Sequence, residues 1–358
     1  KKHTPKTLAL LILAFAGYIA YVNAQQVSEQ NEAVSRAAMA PVSAVSSGHP
    51  AEYEDILLEE NPAVKAAFAR WKQAVEKIAV EKGLPDPQIS FGYFIQNIET
   101  AVGPQEYKLG LRQKLPWFGT LTVKGDIQRL KSEALHHQVQ SVIAGKLYQL
   151  RKVWYEYYYL ERAVDITRKN LSLAESWKGI IRIRYTSDIG RHADLVKTRM
   201  QVLMLEDRIQ TLEDRKKPLI REFSSLLNRE TARILTADSL ACRPLLYNRD
   251  ELNELMVKHS PELKRSGVVP DIMEKNITLS RRSFLPDFSL GVDYIATAEK
   301  YNAEGAPVED SGKDPLVIMG SVSIPLWFNK HSSAVKAAEM GLQQSRYNHT
   351  ELENSLVN

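Results

Sequence analysis

The stretch "YKLGLRQKLPWFG", from Tyr107 to Gly119, decides the fold class of this chain. Its first part alternates between apolar and polar side chains, which is the pattern of a β-strand with two different faces. A proline and two aromatic residues, Trp117 and Phe118, then end the strand, and a long helical pattern follows. The apolar face consists of Tyr107, Leu109, Leu111 and Leu115, and the polar face consists of Lys108, Gly110, Arg112 and Lys114.

The segment before this strand has the same alternation. In "QISFGYFIQNI", from Gln88 to Ile98, the apolar residues Ile89, Phe91, Tyr93 and Ile95 fall on one face. The turn-rich "ETAVGPQE" separates the two segments, so we predict an antiparallel hairpin. Its strands are predicted at 88–98 and 106–115. Strands of about ten residues are long enough to cross a bilayer when they are tilted.

A second pair of alternating segments lies near the end of the sequence. "FSLGVDYI" and "LVIMGSVSI" predict strands at 287–296 and 316–325, with a long polar loop between them. The second of these strands ends in the same way as "RQKLPWFGT", because Pro325 is followed by Trp327 and Phe328 and then by a helical pattern. Both strand pairs therefore lead into a helix through a proline and two aromatic residues.

The helices before the strand pairs also correspond. Asn61-Pro62 and Ser260-Pro261 both resemble a helix cap followed by proline in the first turn. The order helix, strand, strand, aromatic exit and long helix occurs twice, so we predict an internal duplication. The first repeat is placed at 51–259 and the second, incomplete repeat at 260–358. The second long helix reaches Asn358 before any turn, so we expect a second hairpin beyond this sequence.

The pattern after Gly119 predicts an unusually long helical hairpin at 119–229. Apolar residues recur at steps of three and four as far as Gly190, with no proline between them. At about 1.5 Å per residue the first helix is a rod of roughly 100 Å, which fits coiled-coil packing. Gly190 is the predicted hairpin point, and Pro218 in the returning helix predicts a bend or a change of packing. A connector at 231–249 follows.

The N-terminus has the layout of a secretory signal peptide at 1–24. Three lysines precede the apolar run "TLALLILAFAGYIAYV", and the small-residue pattern Val22-Asn23-Ala24 comes before Gln25. The alternative is a retained membrane anchor, but the apolar run is short for a span. Residues 25–50 are rich in Ala, Ser, Val and Gln without a sustained period, so we predict a flexible lead-in.

Composition and motifs exclude several classes of function. The 47 basic and 43 acidic side chains leave a net charge of only +4, which does not favour nucleic acid as a partner. The single cysteine, Cys242, excludes an intramolecular disulfide framework and a multi-cysteine metal site, and we expect it to be a small buried side chain. The sequence has no HExxH motif, no glycine-rich phosphate loop and no nucleophile-base arrangement. We therefore predict no enzyme activity and no cofactor.

Two pairs of neighbouring residues are candidate metal ligands. They are His136-His137 and His192 with Asp194. Histidines on a helix surface are more often solvated or partly packed than ligating, so we predict no metal site here.

Two interpretations of the alternating strands are open from the residues alone. Strands with one apolar and one polar face suit a membrane barrel with a wet lumen, and aromatic residues at their ends suit the membrane-water boundary. The other interpretation is a soluble hairpin whose aromatic residues cap a core. The membrane-barrel interpretation is favoured by the duplication, the export signal and the adjoining long helices. Trp117, Phe118, Trp327 and Phe328 are the predicted interface aromatics.

From about Glu52 to Asn358 the chain resembles the TolC-like outer-membrane efflux proteins. The segments that carry the resemblance are "LPDPQISFG", "LRQKLPWFG", "RYTSDIGRHADLVKTRMQ", "LEDRIQTLEDR", "LLNRE", "SPEL", "FLPDFSLG" and "SIPLWFN". The resemblance implies a mixed α and β membrane protein, in which each protomer of a homotrimer gives four strands to a 12-stranded outer-membrane β-barrel. Long coiled-coil helices continue this barrel as a periplasmic α-barrel. Four strands from one chain cannot close a barrel, so the need for several copies also follows from physics.

The resemblance also implies a function and partners. Family members are passive exit ducts of tripartite efflux or secretion systems in the outer membrane of Gram-negative bacteria, and they dock to a periplasmic adaptor and an inner-membrane pump. Their substrates are metal ions, small organic molecules or proteins, and the sequence does not choose among these. The second hairpin, which helps to form the periplasmic constriction in this family, is missing here, and Pro218 departs from the expected returning helix.

The resemblance assigns the hairpin tip to adaptor docking and gating. The alternative is an ordinary polar turn with Gly190 as a left-handed helix terminator. The tip comprises Arg184, Tyr185, Asp188, Ile189, Gly190, Arg191 and Asp194.

The polar strand residues Lys108, Arg112, Lys114 and Asp293 are expected to line the barrel lumen and to make it locally positive. The alternative is that the lysines and arginine pair with Asp293 and other acids.

The rival from another class is a periplasmic helical-hairpin adaptor or scaffold that never enters the membrane. It explains the long helices. It does not explain two pairs of alternating strands with aromatic exits.

Overall fold

The structure is a computed structural model that describes residues 49–230, 234–236, 240, 244 and 246–357. The predicted signal peptide, almost all of the lead-in and Cys242 lie outside the described residues. In the described part the chain forms seven helices and four strands. In chain order they are α1 (Ala51–Glu60), α2 (Pro62–Lys82), β1 (Gln88–Thr100), β2 (Gly103–Leu115), α3 (Thr120–Thr186), α4 (His192–Leu226), α5 (Arg249–His259), α6 (Pro261–Arg282), β3 (Asp287–Thr297), β4 (Leu316–Ser323) and α7 (Phe328–Val357).

Helix α3 is the long element around which the other helices are arranged. Its 67 residues give a length of about 100 Å at 1.5 Å per residue. Helix α4 returns along α3, α2 and α6 also pack on α3, and α7 packs on α6. Pro218 lies inside α4, yet the helix continues to Leu226. In the described part of the chain, no helix has both the length and the apolar character needed to span a bilayer.

The main hydrophobic core lies where α1, α3 and α4 meet. Leu57, Leu150, Trp154 and Phe223 are fully buried there. Helix α1 was missed by the sequence analysis, although Tyr53, Ile56 and Leu57 have the i, i+3, i+4 spacing of an amphipathic helix. The reason is that it begins directly after the predicted lead-in at 25–50, and the first helix was placed from the Asn61-Pro62 cap onward.

A short piece of the connector is attached to this core by two hydrogen bonds. The backbone N–H of Leu235 donates to Tyr53 Oη at 2.9 Å, and Trp154 Nε1 donates to the Leu235 carbonyl at 3.1 Å. Burial raises the pKa of Tyr53 above its ordinary value, so the phenol stays neutral and can accept this bond. Both backbone groups of Leu235 are thus satisfied by aromatic side chains.

The caps expected from the two Xaa-Pro pairs are present. Asn61 Oδ1 accepts from the N–H groups of Ala63 and Val64 at 2.9 and 3.3 Å, and Ser260 Oγ accepts from Leu263 N at 3.3 Å. Asn61 is buried, and its Nδ2 also donates to the carbonyl of Leu226 at 2.7 Å. It therefore joins the start of α2 to the end of α4.

The four strands form one antiparallel sheet in the order β1-β2-β3-β4. β4 ends at Ser323, two residues earlier than predicted, because Pro325 has no N–H for the ladder and restricts the residue before it. The pairing register brings side chains of like character into rows across all four strands. One row is Ile89, Leu111, Val292 and Ile318; the next is Phe91, Leu109, Tyr294 and Leu316.

Candidate functional site

The sheet has one apolar face that nothing in the described chain covers. Ile89 at one edge and Ile318 at the other are 77% and 78% exposed. Between them, Leu111 and Val292 of the same row are also exposed. A continuous apolar surface of this size on a protein indicates a binding partner or a lipid environment. The predicted alternation is confirmed by the register for residues 88–93 of β1 and 107–112 of β2. The register shifts between Tyr93 and Ile98, so the place of Ile95 on the apolar face stays a prediction.

The opposite face of the sheet carries ionic groups. It contains the four predicted lumen residues, Lys108, Arg112, Lys114 and Asp293. The lysines and the arginine are two or four residues from Gly110 on β2, and Asp293 pairs directly with Gly110. Lys108 forms an ion pair with Asp293, and Lys114 Nζ lies 3.0 Å from Asp287 Oδ2. Two of the three predicted cations are thus paired with carboxylates.

The burial of Asp293 depends on a glycine in the neighbouring strand. Its side chain lies across Gly110, where a Cβ would come within 2.5 Å of Asp293 Oδ1 and also of Ser90 Oγ. Asp293 is accordingly buried beneath the polar face. Removing Lys108 would leave this buried carboxylate without its ion-pair partner, which is strongly destabilising.

Asp287 is a polar-face residue that the sequence analysis did not select. It opens β3 and shares the odd numbering of Ser289 and Asp293, which is the signal that could have found it. Its Oδ1 accepts a hydrogen bond from the backbone N–H of Trp117 at 3.3 Å, while Oδ2 pairs with Lys114. Asp287 therefore connects the start of β3 to the aromatic exit that follows β2.

The four aromatic residues predicted for the interface differ in their surroundings. Phe118, Trp327 and Phe328 are exposed, with Phe118 at 80%. Trp117 is partly buried and stacks on Phe288, with ring centroids 5.6 Å apart and an interplanar angle of 25°. Three of the four rings can therefore contact an external apolar phase directly, and the fourth supports the junction between sheet and helices.

The helical hairpin turns through residues 187–191. The left-handed residue there is Asp188, with φ of 52°, so the interpretation of Gly190 as the left-handed terminator was wrong. Gly190 is needed for a close approach instead, because a Cβ on it would lie 3.1 Å from the backbone nitrogen of Tyr185. The N–H groups of Ile189 and Gly190 both donate to the Arg184 carbonyl, at 2.9 and 3.0 Å.

The side chains of this tip face outward. Ile189 is 72% exposed, and the ring of Tyr185 lies 5.5 Å from that of His192. Arg184 and Arg191 are exposed and have no ion-pair partner among the described residues. Asp194 lies in the first turn of α4, where a carboxylate interacts favourably with the helix dipole. The tip thus presents apolar and charged groups together on a fixed turn.

His136 and His137 lie beside aromatic rings on the surface of α3. His136 lies 5.4 Å from Trp71 and 5.8 Å from His137, measured between ring centroids. Within the described ranges, no three residues of the types His, Cys, Asp and Glu are grouped in a way that could hold a metal ion.

Comparison with solved structures gives strong matches to channel proteins. The chain matches the structure of CusC, whose study concerns folding and transmembrane channel formation, with a TM-score of 0.69 and 13% identity over 86% of this chain and 73% of that one. It matches the CmeC outer membrane channel of Campylobacter jejuni with a TM-score of 0.67 and 12% identity, over 86% and 68% of the two chains. The MtrE outer membrane channel of Neisseria gonorrhoeae gives a TM-score of 0.67 and 15% identity, over 87% and 75%.

The chain has the fold of these outer-membrane channels. The mixed helix and sheet architecture expected from the TolC-like resemblance is confirmed. No family model matches the sequence, and a search of curated proteins finds no match. The outer-membrane channel fold is thus recognised through the three-dimensional arrangement, at identities where sequence comparison alone has little power.

Proposed function

We propose that this chain is one subunit of a homotrimeric channel in the outer membrane of a Gram-negative bacterium, where it serves as a passive exit duct for efflux. The observation that carries the proposal is the sheet with an uncovered apolar face, a charged opposite face and two open edges. The likeness of the fold to outer-membrane channels supports it. The duct would take no energy from this chain.

The open edges of the sheet support the trimer. β1 and β4 each pair on one side only, and unpaired backbone groups are not tolerated in lipid. Joining β4 of one copy to β1 of the next removes both edges. Three copies with four strands each would close a 12-stranded barrel, with the apolar face toward the lipid and the ionic face toward a wet lumen. The order helix, two strands and helix occurs twice along the chain, which is consistent with an internal duplication.

The rival function, a periplasmic helical-hairpin adaptor or scaffold, is disfavoured by the same face. In a protein that stays in water, the apolar row from Ile89 to Ile318 would be exposed to solvent. Fractionation of cells that express the full chain separates the two functions. The channel should sediment with outer-membrane material and show a slower, heat-sensitive band on gels, whereas recovery in the soluble periplasmic fraction as a monomer would contradict the proposal.

Within a tripartite system, the hairpin tip would dock a periplasmic adaptor that connects the duct to an inner-membrane pump. Two features of the tip support this role: Ile189 is exposed, and Arg184 and Arg191 have no ion-pair partner in the described part of the chain.

Charge reversal at the tip tests the docking role. We expect Arg191→Glu to weaken adaptor association by about fivefold to thirtyfold, since a charged contact at an interface contributes on the order of 1–2 kcal/mol. Pull-down with the adaptor encoded beside this protein measures the effect. Arg208→Glu is the matched control, because Arg208 lies on α4 away from the tip, is exposed and, like Arg191, has no ion-pair partner among the described residues. Equal adaptor recovery with Arg191→Glu and the wild type would contradict docking at the tip.

A further inference from the structure

One cation on the polar face of the sheet has no acidic partner among the described residues. Lys108 is paired with Asp293, and Lys114 with Asp287. Arg112 lies between these two lysines on β2, is exposed, and takes part in no ion pair. Its charge is therefore the uncompensated one in the part of the face where all four strands pair.

The surroundings of Arg112 leave its guanidinium accessible. Its cross-strand partners are Gln88 on β1 and Gly291 on β3. Gly291 adds no side chain beside Arg112, and a groove runs from Arg112 across β3 to β4. Hydrogen-bond donors along this groove come from Gln88, Arg112, Lys114, Ser289, Ser321 and Ser323.

The one carboxylate in the groove is already engaged. Asp287 Oδ2 lies 3.0 Å from Lys114 Nζ, and Oδ1 accepts from Trp117 N at 3.3 Å. Its negative charge is compensated locally, whereas that of Arg112 is not. The planar fork of a guanidinium matches carboxylate, sulfonate and phosphate groups. Ser289 Oγ and Ser321 Oγ share one hydrogen bond, so one of these two hydroxyls can still donate to a remaining oxygen.

We propose that this groove is a transit site for anions, and that the duct favours solutes bearing carboxylate, sulfonate or phosphate groups over cations. The inference rests on the proposed function, because the trimer would place three copies of Arg112 at one level of the lumen wall. Three positive charges in a narrow pore concentrate anions there and repel metal cations. A weak, open site of this kind allows an anion to enter and to leave.

Planar-bilayer recording with the purified full chain tests the site. In a potassium chloride gradient, the reversal potential of the wild type should lie closer to the equilibrium potential of chloride than to that of potassium. Arg112→Gln should move the reversal potential toward the equilibrium potential of potassium. Inorganic phosphate should block the wild-type current, and the half-blocking concentration should rise about tenfold or more in Arg112→Gln, since a hydrogen bond to a charged group contributes about 1.5–3 kcal/mol.

Two further variants separate this site from general effects of charge. Arg112→Lys keeps the charge without the fork, so it should keep the reversal potential and lose part of the phosphate block. The double variant Lys108→Gln with Asp293→Asn removes a compensated pair that lies on the same face but does not line the groove, so it should retain the wild-type selectivity.

The outcomes distinguish this inference from the proposed function. A heat-sensitive band on gels shows that each variant has assembled. Wild-type current that ignores phosphate, or an Arg112→Gln channel with unchanged reversal potential, overturns the anion site and leaves the channel standing. A wild-type protein that never conducts overturns the proposed function, and the anion site with it.

Discussion

Replacing Ile318 with lysine should abolish assembly of the protein in the outer membrane. Ile318 lies in the apolar row that crosses all four strands and is 78% exposed in the single chain. In the proposed barrel this side chain faces lipid, where a lysine costs about 2–4 kcal/mol near the middle of the bilayer. Because the trimer contains three copies, the cost is incurred three times in one assembly.

The neighbouring residue gives a matched control. Met319 follows Ile318 directly on β4 but lies on the polar face, opposite Gly291. Met319→Lys adds the same charge at nearly the same depth and should still assemble, because its side chain would enter the wet lumen. Outer-membrane fractionation and the heat-sensitive gel band measure both variants. If the two lysines reduced assembly equally, the assignment of one face to lipid would be wrong.

The faces of the sheet were predictable because the side-chain period of a strand is a local property. In "YKLGLRQKL" every second residue except Gln113 is apolar, and no knowledge of the partner strand is needed to separate the two faces. The long hairpin was predictable for the same reason, since a stretch without proline and with steps of three and four can only continue as a helix. These features decide the architecture.

The ionic contacts of the candidate site were not predictable in the same way. The pairing of Lys114 with Asp287 joins residues 173 positions apart, and it depends on the register between β2 and β3. Trp117 is partly buried while the other three aromatic residues are exposed, and this difference likewise depends on the tertiary fold. The ring of Trp117 stacks on Phe288, which belongs to the second half of the chain. Because register is set by the tertiary fold, the one uncompensated cation could be identified only from the structure.

The turn at the hairpin tip shows how a local rule can fail. Glycine is the usual left-handed residue at a helix end, and this made Gly190 the natural candidate. Aspartate also tolerates this conformation because its short side chain can bond locally, and here Asp188 adopts it. Gly190 is then used where the chain passes close to the backbone of Tyr185. The prediction placed the turn correctly and assigned its strained position to the wrong residue.

Trp154→Ala should cause the largest loss of stability among single changes in the helical part. Trp154 is fully buried in the core between α1, α3 and α4, and its Nε1 holds the connector through the Leu235 carbonyl. Truncation of a buried tryptophan costs about 3–5 kcal/mol, and the Leu235 carbonyl would also lose its donor. We expect a clearly lower midpoint when the purified protein is unfolded with guanidinium and followed by far-ultraviolet circular dichroism.

Two comparison variants separate packing from the hydrogen bond. Trp177→Ala removes the same side chain on the same helix, but this residue is 63% exposed, so the free energy of unfolding of the described chain should change by about 0.5 kcal/mol or less. Trp154→Phe keeps most of the apolar contact and removes the donor, so its loss should be intermediate, about 1–3 kcal/mol. If Trp154→Ala and Trp177→Ala unfolded at the same midpoint, Trp154 would not hold the connector to the core. The long hairpin would then be supported from the sheet end alone, through the contacts of α2 and α6 with α3.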